Sequence, residues 1–243
     1  MKIYSLSSGS KGNATLVVCD NFNILIDAGN TKKYLVNSLA KINKSINDID
    51  MVLVTHFHVD HCKSLNCFSN EIVYSEKLEH KNLAINNENN FYGISIRPFV
   101  LSHDEKCYGF QIKENGTTYT HISDTGYLKN EYLELIRNSD YLYLEFNHDI
   151  EMLRNSNRPS YVKKRILSDT GHLNNQDAAI ALVKGAIKLK EVMIAHISEE
   201  ANDIRLIQSE IEKVFVDFDK EIDFEIKYTA FQTIVMGGQE SED

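Results

Sequence analysis

Long apolar runs, which would indicate a membrane segment, are missing from this sequence of 243 residues. No stretch approaches the roughly 20 apolar residues that a bilayer-spanning helix needs. The N-terminus passes directly into a strand-like pattern and lacks the charged and apolar regions of a signal peptide. Apolar residues nevertheless make up 42% of the chain, which is ordinary for a globular protein. We therefore expect a cytoplasmic protein without membrane contact, folded as one domain over residues 1–243.

Paired cysteines are also missing. The chain has four cysteines, Cys19, Cys62, Cys67 and Cys107, and no C-x-x-C motif, so the sequence suggests no disulfide framework. Cys62 directly follows a histidine and could approach a metal ion, but a small packed thiol in a reducing compartment is the commoner situation.

An excess of positive charge is the third absence, since the formal net charge at pH 7 is −9. This balance argues against a broad basic surface for duplex nucleic acid. It leaves local binding open, because bound divalent cations would invert the potential where the sequence is most acidic.

The most informative stretch that is present runs from residue 55 to residue 61. It places four potential metal ligands in six consecutive positions, namely His56, His58, Asp60 and His61. Residues 51–54 before it are apolar and read as a short buried strand, so the four side chains follow a strand end. Imidazole and carboxylate groups bind zinc-like divalent ions, and four of them are enough to be shared between two metals. A polar loop of surface histidines is the alternative, and it explains this density poorly.

Strands and helices alternate in two halves of the chain, with candidate ligands at strand ends in both. This order suits two β-sheets packed face to face with helices outside. Asn115-Gly116 predicts a hairpin whose second strand leads to Asp124. Asp27 ends the third predicted strand, where it either caps a helix or orients a ligand histidine. The glycine- and serine-rich turn at residues 7–13 could bring Ser10 and Asn13 close to an anion, although most such turns are only turns.

The H-x-H-x-D-H pattern after a strand resembles the signature of the metallo-β-lactamase superfamily. Nearly the whole chain is similar to its WalJ/YycJ-like subfamily, which is related to the tRNA 3′-processing nucleases. The departures are Phe146, where a small residue is more usual, and Cys62, where an aliphatic one is common. The resemblance implies a four-layer αββα sandwich of the α/β (α+β) class. The matching stretches are SSGSKGNAT (7–15), THFHVDH (55–61), DTGY (124–127), EFNHDIEM (145–152), RILSDTGHLNNQDAA (165–179) and AHISEEAND (195–203).

The resemblance also implies the rest of a two-metal site. His103 matches the third histidine, with His121 as its rival; Asp124 matches the bridging aspartate and His196 the last ligand. Zinc is favoured, with manganese as the alternative. The implied set is His56, His58 and His103 on one metal, Asp60, His61 and His196 on the other, and Asp124 on both.

The implied activity is hydrolysis of phosphodiester bonds in nucleic acid, exonuclease-like, with DNA favoured over RNA and a metal-activated hydroxide as the nucleophile. His172 is the candidate general acid and Glu145 its orienting partner; with Asp60 they form the predicted catalytic set. The alternative for His172 is a neighbour of a helix cap. His148 and Asp149 belong to the same motif and receive no role.

One basic segment lies between Glu145 and His172 in the sequence. Residues 154–165 contain five basic residues and no acidic one. We expect Lys163, Lys164 and Arg165 to contact backbone phosphates near the site, although a solvated basic loop explains the segment equally well.

Other functions remain compatible with these residues. They are a phosphodiesterase of small cyclic nucleotides, a hydrolase of thioesters, lactones or β-lactams, and a metal-bearing binding module without turnover. The sequence leaves open the polarity and the endo or exo mode of cleavage, and the oligomeric state, a homodimer included.

Overall fold

The computed structural model describes residues 1–75, 83–229 and 233–237, and these form two mixed β-sheets. The first sheet has six strands in the order β13-β1-β2-β3-β4-β5 and the second has seven in the order β12-β11-β10-β9-β8-β7-β6. The strands are β1 Lys2–Ser7, β2 Ala14–Val18, β3 Asn23–Ile26, β4 Met51–Leu53, β5 Val73–Tyr74, β6 Asn89–Phe91, β7 Ile94–Leu101, β8 Cys107–Glu114, β9 Thr117–Ile122, β10 Tyr141–Glu145, β11 Glu191–Ala195, β12 Glu225–Tyr228 and β13 Ile234–Met236.

Seven α-helices connect these strands in the described ranges. They are α1 Lys32–Lys41, α2 Val59–Cys62, α3 Asn130–Arg137, α4 Ile150–Asn155, α5 Ser160–Ile166, α6 Asn175–Gly185 and α7 Ile204–Asp217. Side chains cap the longer ones, as Thr31 does for α1, Asn174 for α6 and Asp203 for α7. None of the helices described is long and apolar enough to cross a membrane.

The core shows that the layers run helix, sheet, sheet, helix. Because side chains alternate along a strand, Leu142 and Leu144 of β10 face α3, α6 and α7, while Tyr143 faces the first sheet. The other face of the first sheet packs on α1 through Leu35 and Leu39. The αββα sandwich predicted from the resemblance is therefore confirmed.

Strand direction gathers the candidate ligands at one edge. β10 runs parallel to both β9 and β11, and β3 runs parallel to β4, so their C-terminal ends lie together. Three residues that come one or two positions after these strand ends have a left-handed backbone. They are Asp27 at φ 61°, Asp124 at φ 57° and His196 at φ 53°. Non-glycine residues adopt this conformation rarely, and it marks the edge where the side chains converge.

Candidate metal centre

Three histidines converge at the first half of the site. Nδ1 of His58 lies 3.0 Å from Nε2 of His56 and 3.3 Å from Nε2 of His103. Burial, together with the positive charge of His61, lowers the pKa of His56 to about 2, and burial also lowers the pKa of His103. The rings of His56 and His103 are therefore neutral at pH 7, which is the state that binds a metal.

The second half of the site brings together Asp60, His61 and His196, whose ligand atoms lie within 4.8 Å of one another. Asp124 lies between the halves: it groups with His56 and His61, and separately with Glu145, His172 and His196. Its Oδ2 is 3.4 Å from Nε2 of His61. All seven predicted ligands thus meet in one place.

The donor atoms of this cluster fit divalent cations. The imidazole nitrogens lie 3.0–3.3 Å apart and have few hydrogen-bond acceptors nearby. A shared cation would therefore stabilise this arrangement more than the contacts between the rings do. Burial alone would lower the pKa values of His61 and His196, but the carboxylates of Asp124 with Asp27 and of Asp124 with Glu145 raise them to about 9 and about 10. A metal at this half must therefore displace protons from both rings.

Asp27 orients His61 and the start of the motif. Its Oδ2 is 2.7 Å from Nδ1 of His61, and its carboxylate accepts hydrogen bonds from the backbone N–H and the hydroxyl of Thr55 at 2.8 and 2.7 Å. This contact turns Nε2 of His61 towards the cluster. Of the two roles open to Asp27, the structure therefore gives it the orienting one, because Thr31 caps α1 instead.

Asn13 supports the same loop from behind. It is buried, its Oδ1 accepts from the backbone N–H of Gly9 at 2.8 Å, and its Nδ2 lies 3.3 Å from Oδ2 of Asp60 and 2.9 Å from Nε2 of His61. This geometry favours a positioning role for Asn13 over the predicted phosphate contact. The backbone of Asp60 also packs closely against Gly29. A Cβ atom at position 29 would lie 1.5 Å from the carbonyl oxygen of Asp60, so this contact requires glycine.

Glu145 binds two histidines through one oxygen atom. Its Oε1 is 2.8 Å from Nδ1 of His172 and 2.7 Å from Nδ1 of His196, while Oε2 accepts from the backbone N–H groups of Thr125 and Leu173. Burial would raise the pKa of Glu145, but the charges and hydrogen bonds of His172 and His196 lower it to about 2. The contact with His172 matches the predicted pair, and the one with His196 has no signal in the sequence.

The cluster opens into a cavity of about 210 Å³. Ser10, Asp60 and His172 line it, together with Arg158 and Arg165 of the basic segment. Nη1 of Arg165 donates to Oδ2 of Asp104 at 2.8 Å. Oδ1 of that aspartate lies 3.4 Å from His58 and 3.2 Å from His103, so Arg165 reaches the edge of the first half of the site.

The other basic residues divide into two kinds. Arg158 donates to Oε2 of Glu200 at 2.9 Å and faces the same cavity, although the sequence did not single it out. Lys163 donates to the backbone carbonyl of Arg154 at 2.6 Å, whereas Lys164 is exposed. Of the three basic residues predicted to contact phosphate, Lys163, Lys164 and Arg165, only Arg165 therefore lines the cavity.

The structure separates His103 from its rival. His121 lies between the sheets, where its Nδ1 is 2.8 Å from the hydroxyl of Tyr119 and its ring stacks on Tyr143 with centroids 4.2 Å apart. Cys62 belongs to none of the ligand clusters found among the described residues, and its Sγ donates to the carbonyl oxygen of Phe57 at 3.5 Å. The sequence did not indicate that Sγ of Cys107 lies 3.7 Å from Nδ1 of His56.

Asp149 and His148, the two residues of the 145–152 stretch without a predicted role, lie outside the ligand cluster. Asp149 caps α4 by accepting from the backbone N–H of Met152 at 2.8 Å. His148 is buried, burial lowers its pKa to about 4, and its ring nitrogens have no hydrogen-bond partner within the described part of the chain.

Comparison with known proteins agrees with the fold and the motif. The model of the family described as Anti-Pycsar protein Apyc1 matches residues 5–92. Among solved structures, the metallo-β-lactamase fold protein YhfI from Bacillus subtilis has a TM-score of 0.72 at 16% identity, covering 98% of each chain. The short form of human tRNase Z has a TM-score of 0.66 at 16% identity, covering 98% of this chain and 99% of its own. At these identities the likeness shows the fold alone.

Two curated relatives are closer in sequence. The exodeoxyribonuclease WalJ of Streptococcus pneumoniae (strain ATCC BAA-255 / R6) is 30% identical, and the similarity covers 81% of each chain. The exodeoxyribonuclease YycJ of Bacillus anthracis is 32% identical, and the similarity covers 86% of this chain and 87% of the relative. Because this similarity spans most of both sequences at 30% identity or more, the chain belongs to the WalJ/YycJ family of metallo-β-lactamase-fold hydrolases.

Proposed function

We propose that this protein is a metal-dependent exonuclease that hydrolyses phosphodiester bonds in DNA at a dinuclear centre. The observation that carries the proposal is the meeting of seven ligand side chains with the Glu145–His172 pair beside them. The names of the relatives WalJ and YycJ, both exodeoxyribonucleases, support DNA as the substrate.

The cluster divides into two ligand sets of this chain. His56, His58 and His103 would hold one ion, Asp60, His61 and His196 the other, and Asp124 would contact both. When bound, divalent ions supply Lewis acidity towards phosphoryl oxygens and make water acidic enough to act as a nucleophile near neutral pH. The mixture of nitrogen and oxygen donors suits zinc best, and manganese is the alternative.

His172 is the proton donor to the leaving oxygen in this proposal. Because Glu145 accepts from Nδ1 of His172 at 2.8 Å, the proton on Nδ1 is fixed and Nε2 is left for the substrate. The ring borders the cavity, while Glu145 is fully buried behind it. A hydrolase of thioesters or lactones has less need of such a pair, so the pair favours phosphorus chemistry.

Arg165 and Arg158 are the proposed contacts to the phosphates beside the cleaved bond, and Ser10 lines the same cavity. Both guanidinium groups are engaged with carboxylates, Asp104 and Glu200, at a rim where phosphate can compete for them. The negative net charge is compatible with this arrangement, because two guanidinium groups line the cavity itself.

A small phosphodiester, such as a cyclic nucleotide, is the second candidate substrate. The net charge of −9 and the modest cavity of about 210 Å³ favour it. We expect the ratio of kcat/KM for a DNA oligonucleotide to that for a cyclic mononucleotide to exceed one hundred. Efficient turnover of the cyclic nucleotide without release of nucleotides from DNA would replace the first proposal by the second.

A further inference from the structure

Residues 150–171, which we name the α4–α5 arm, carry an exposed aromatic side chain that no part of the proposed mechanism uses. Tyr161 on α5 is 75% exposed. Isolated apolar side chains on a surface are common and need no explanation. The position of Tyr161 on this arm is what makes it informative.

Tyr161 lies next to the two arginines that face the cavity. Arg165 follows it by four residues on α5, and side chains four apart on a helix are neighbours on one face. Arg158 precedes it by three residues, just before the N-cap of the same helix. Both arginines line the cavity above the ligand cluster, so Tyr161 lies in the chain between two cavity-lining residues.

The arm is anchored to the elements that hold the ligands. Leu153 of α4 and Ile166 of α5 are buried together with Ala201, which follows the ligand strand β11. At the other end of the arm, Nδ1 of His103 is 3.1 Å from the carbonyl oxygen of Gly171. Tyr161 therefore keeps a fixed relation to the reacting centre, which is what a substrate-positioning group requires.

An exposed aromatic ring between cationic side chains has the composition of a single-strand nucleic-acid site. Such sites pair aromatic rings, on which bases stack, with arginine or lysine side chains that contact the backbone. Lys164, which is also exposed, follows Tyr161 by three residues on α5 and adds a further cation beside it. The positive charges complement a polyanionic strand and not a basic or neutral peptide.

We propose that Tyr161 is a stacking platform for a nucleobase adjoining the cleaved phosphodiester, while Arg158 and Arg165 contact the phosphates on either side of it. This inference rests on the proposed nuclease function and adds to it the direction in which the strand leaves the metal centre. It assigns part of substrate recognition to the base itself, without requiring a particular sequence, because every base has a face that can stack.

The test compares Tyr161→Ala, Tyr161→Phe and a control, Tyr92→Ala, in the metal-loaded enzyme. Tyr92 is 88% exposed in the turn between β6 and β7, at the end of β7 remote from His103. The readout is the ratio of kcat/KM for a single-stranded oligonucleotide to kcat/KM for methyl p-nitrophenyl phosphate, which has no base. We expect Tyr161→Ala to lower this ratio by about 5- to 150-fold, the equivalent of about 1–3 kcal/mol of base stacking. Tyr161→Phe and Tyr92→Ala should keep it within about twofold.

A substrate-side comparison separates stacking from an indirect effect. An oligonucleotide with an abasic site next to the cleaved bond should lower the wild-type kcat/KM by a similar factor and should lower that of Tyr161→Ala by much less. Wild-type ratios in Tyr161→Ala, or equal losses on both substrates, overturn the inference and leave the nuclease proposal standing. A wild-type enzyme that cleaves neither substrate overturns the proposed function, and this inference with it.

Discussion

Oε1 of Glu145 lies 2.8 Å from Nδ1 of His172, and the same atom lies 2.7 Å from Nδ1 of His196. One buried carboxylate therefore orients both the proposed proton donor and a proposed metal ligand. Because of this double contact, substitutions of His172 and of Glu145 should have different effects. If Glu145 contacted His172 alone, the two substitutions would be expected to act alike.

We expect His172→Ala to lower kcat on DNA by about 10²- to 10⁴-fold, the usual contribution of a general acid, while metal content stays at the wild-type value. Glu145→Gln should lower kcat and also weaken metal binding by about 10- to 100-fold, since it disturbs His196 as well. The measurements are single-turnover rates and bound metal per chain. Loss of metal in His172→Ala would contradict the assignment of that ring as a proton donor outside the ligand sets.

Asp27→Asn should weaken metal binding by about 10- to 100-fold with little change in the fold. Asparagine tolerates the left-handed backbone at this position, so the substitution mainly removes the charge that orients His61. Competition with a coloured chelator measures the affinity. Asp48→Asn is the control, because Asp48 accepts hydrogen bonds from Ser45 in an exposed turn and touches none of the ligands. Equal affinities in the two variants would exclude the orienting role.

Arg165→Ala should lower kcat/KM on DNA and reduce the slope of log(kcat/KM) against log salt concentration by about one, as expected for the loss of a phosphate contact. Lys213→Ala on α7, where the lysine pairs with Glu210, is the matched control and should leave the slope unchanged. An unchanged slope in Arg165→Ala would mean that the basic segment is a solvated surface.

Burial, with the positive charge of His61, lowers the pKa of His121 from 6.5 to about 3. As the pH falls, this histidine therefore binds a proton at a higher pH in the unfolded chain than in the folded protein. The resulting stability is complete above pH 6.5 and is lost as the pH falls below it, by about 1.4 kcal/mol for each pH unit.

His121→Phe should remove this part of the acid dependence. Urea unfolding of both proteins in chelator between pH 5 and pH 7 measures it, because the ligand histidines contribute equally and cancel in the difference. The variant should lose less stability per pH unit than the wild type below pH 6.5. Parallel pH profiles would show that His121 is protonated in the folded state.

Local signals in the sequence predicted those parts of the fold that depend on neighbouring residues. Asn115 and Gly116 have φ values of 48° and 78° and form the turn between β8 and β9, as their sequence indicates. For the α4–α5 arm, the sequence predicted the positive charge but not the two helices. These helices are six and seven residues long and bury few apolar side chains. Too short to show helical periodicity, they are stabilised by packing of Leu153 and Ile166.

The candidate site shows the same division. The motif at residues 55–61 and the strand-end positions of Asp124 and His196 could be read from the sequence together with its resemblance to a known family. The second contact of Glu145, the position of Asn13 behind Asp60 and the exposure of Arg158 to the cavity could not. They depend on distances between segments that lie 47 or more residues apart or, for Arg158, on how the segment between α4 and α5 is placed over the cavity.

The central claim is most directly tested by following nucleotide release from end-labelled single- and double-stranded DNA, with zinc or manganese, beside an Asp60→Ala, His61→Ala double variant. The account predicts metal-dependent, stepwise release by the wild type and none by the double variant, and the labelled end then gives the polarity. No release by a wild-type protein that demonstrably binds two metal ions per chain would contradict it.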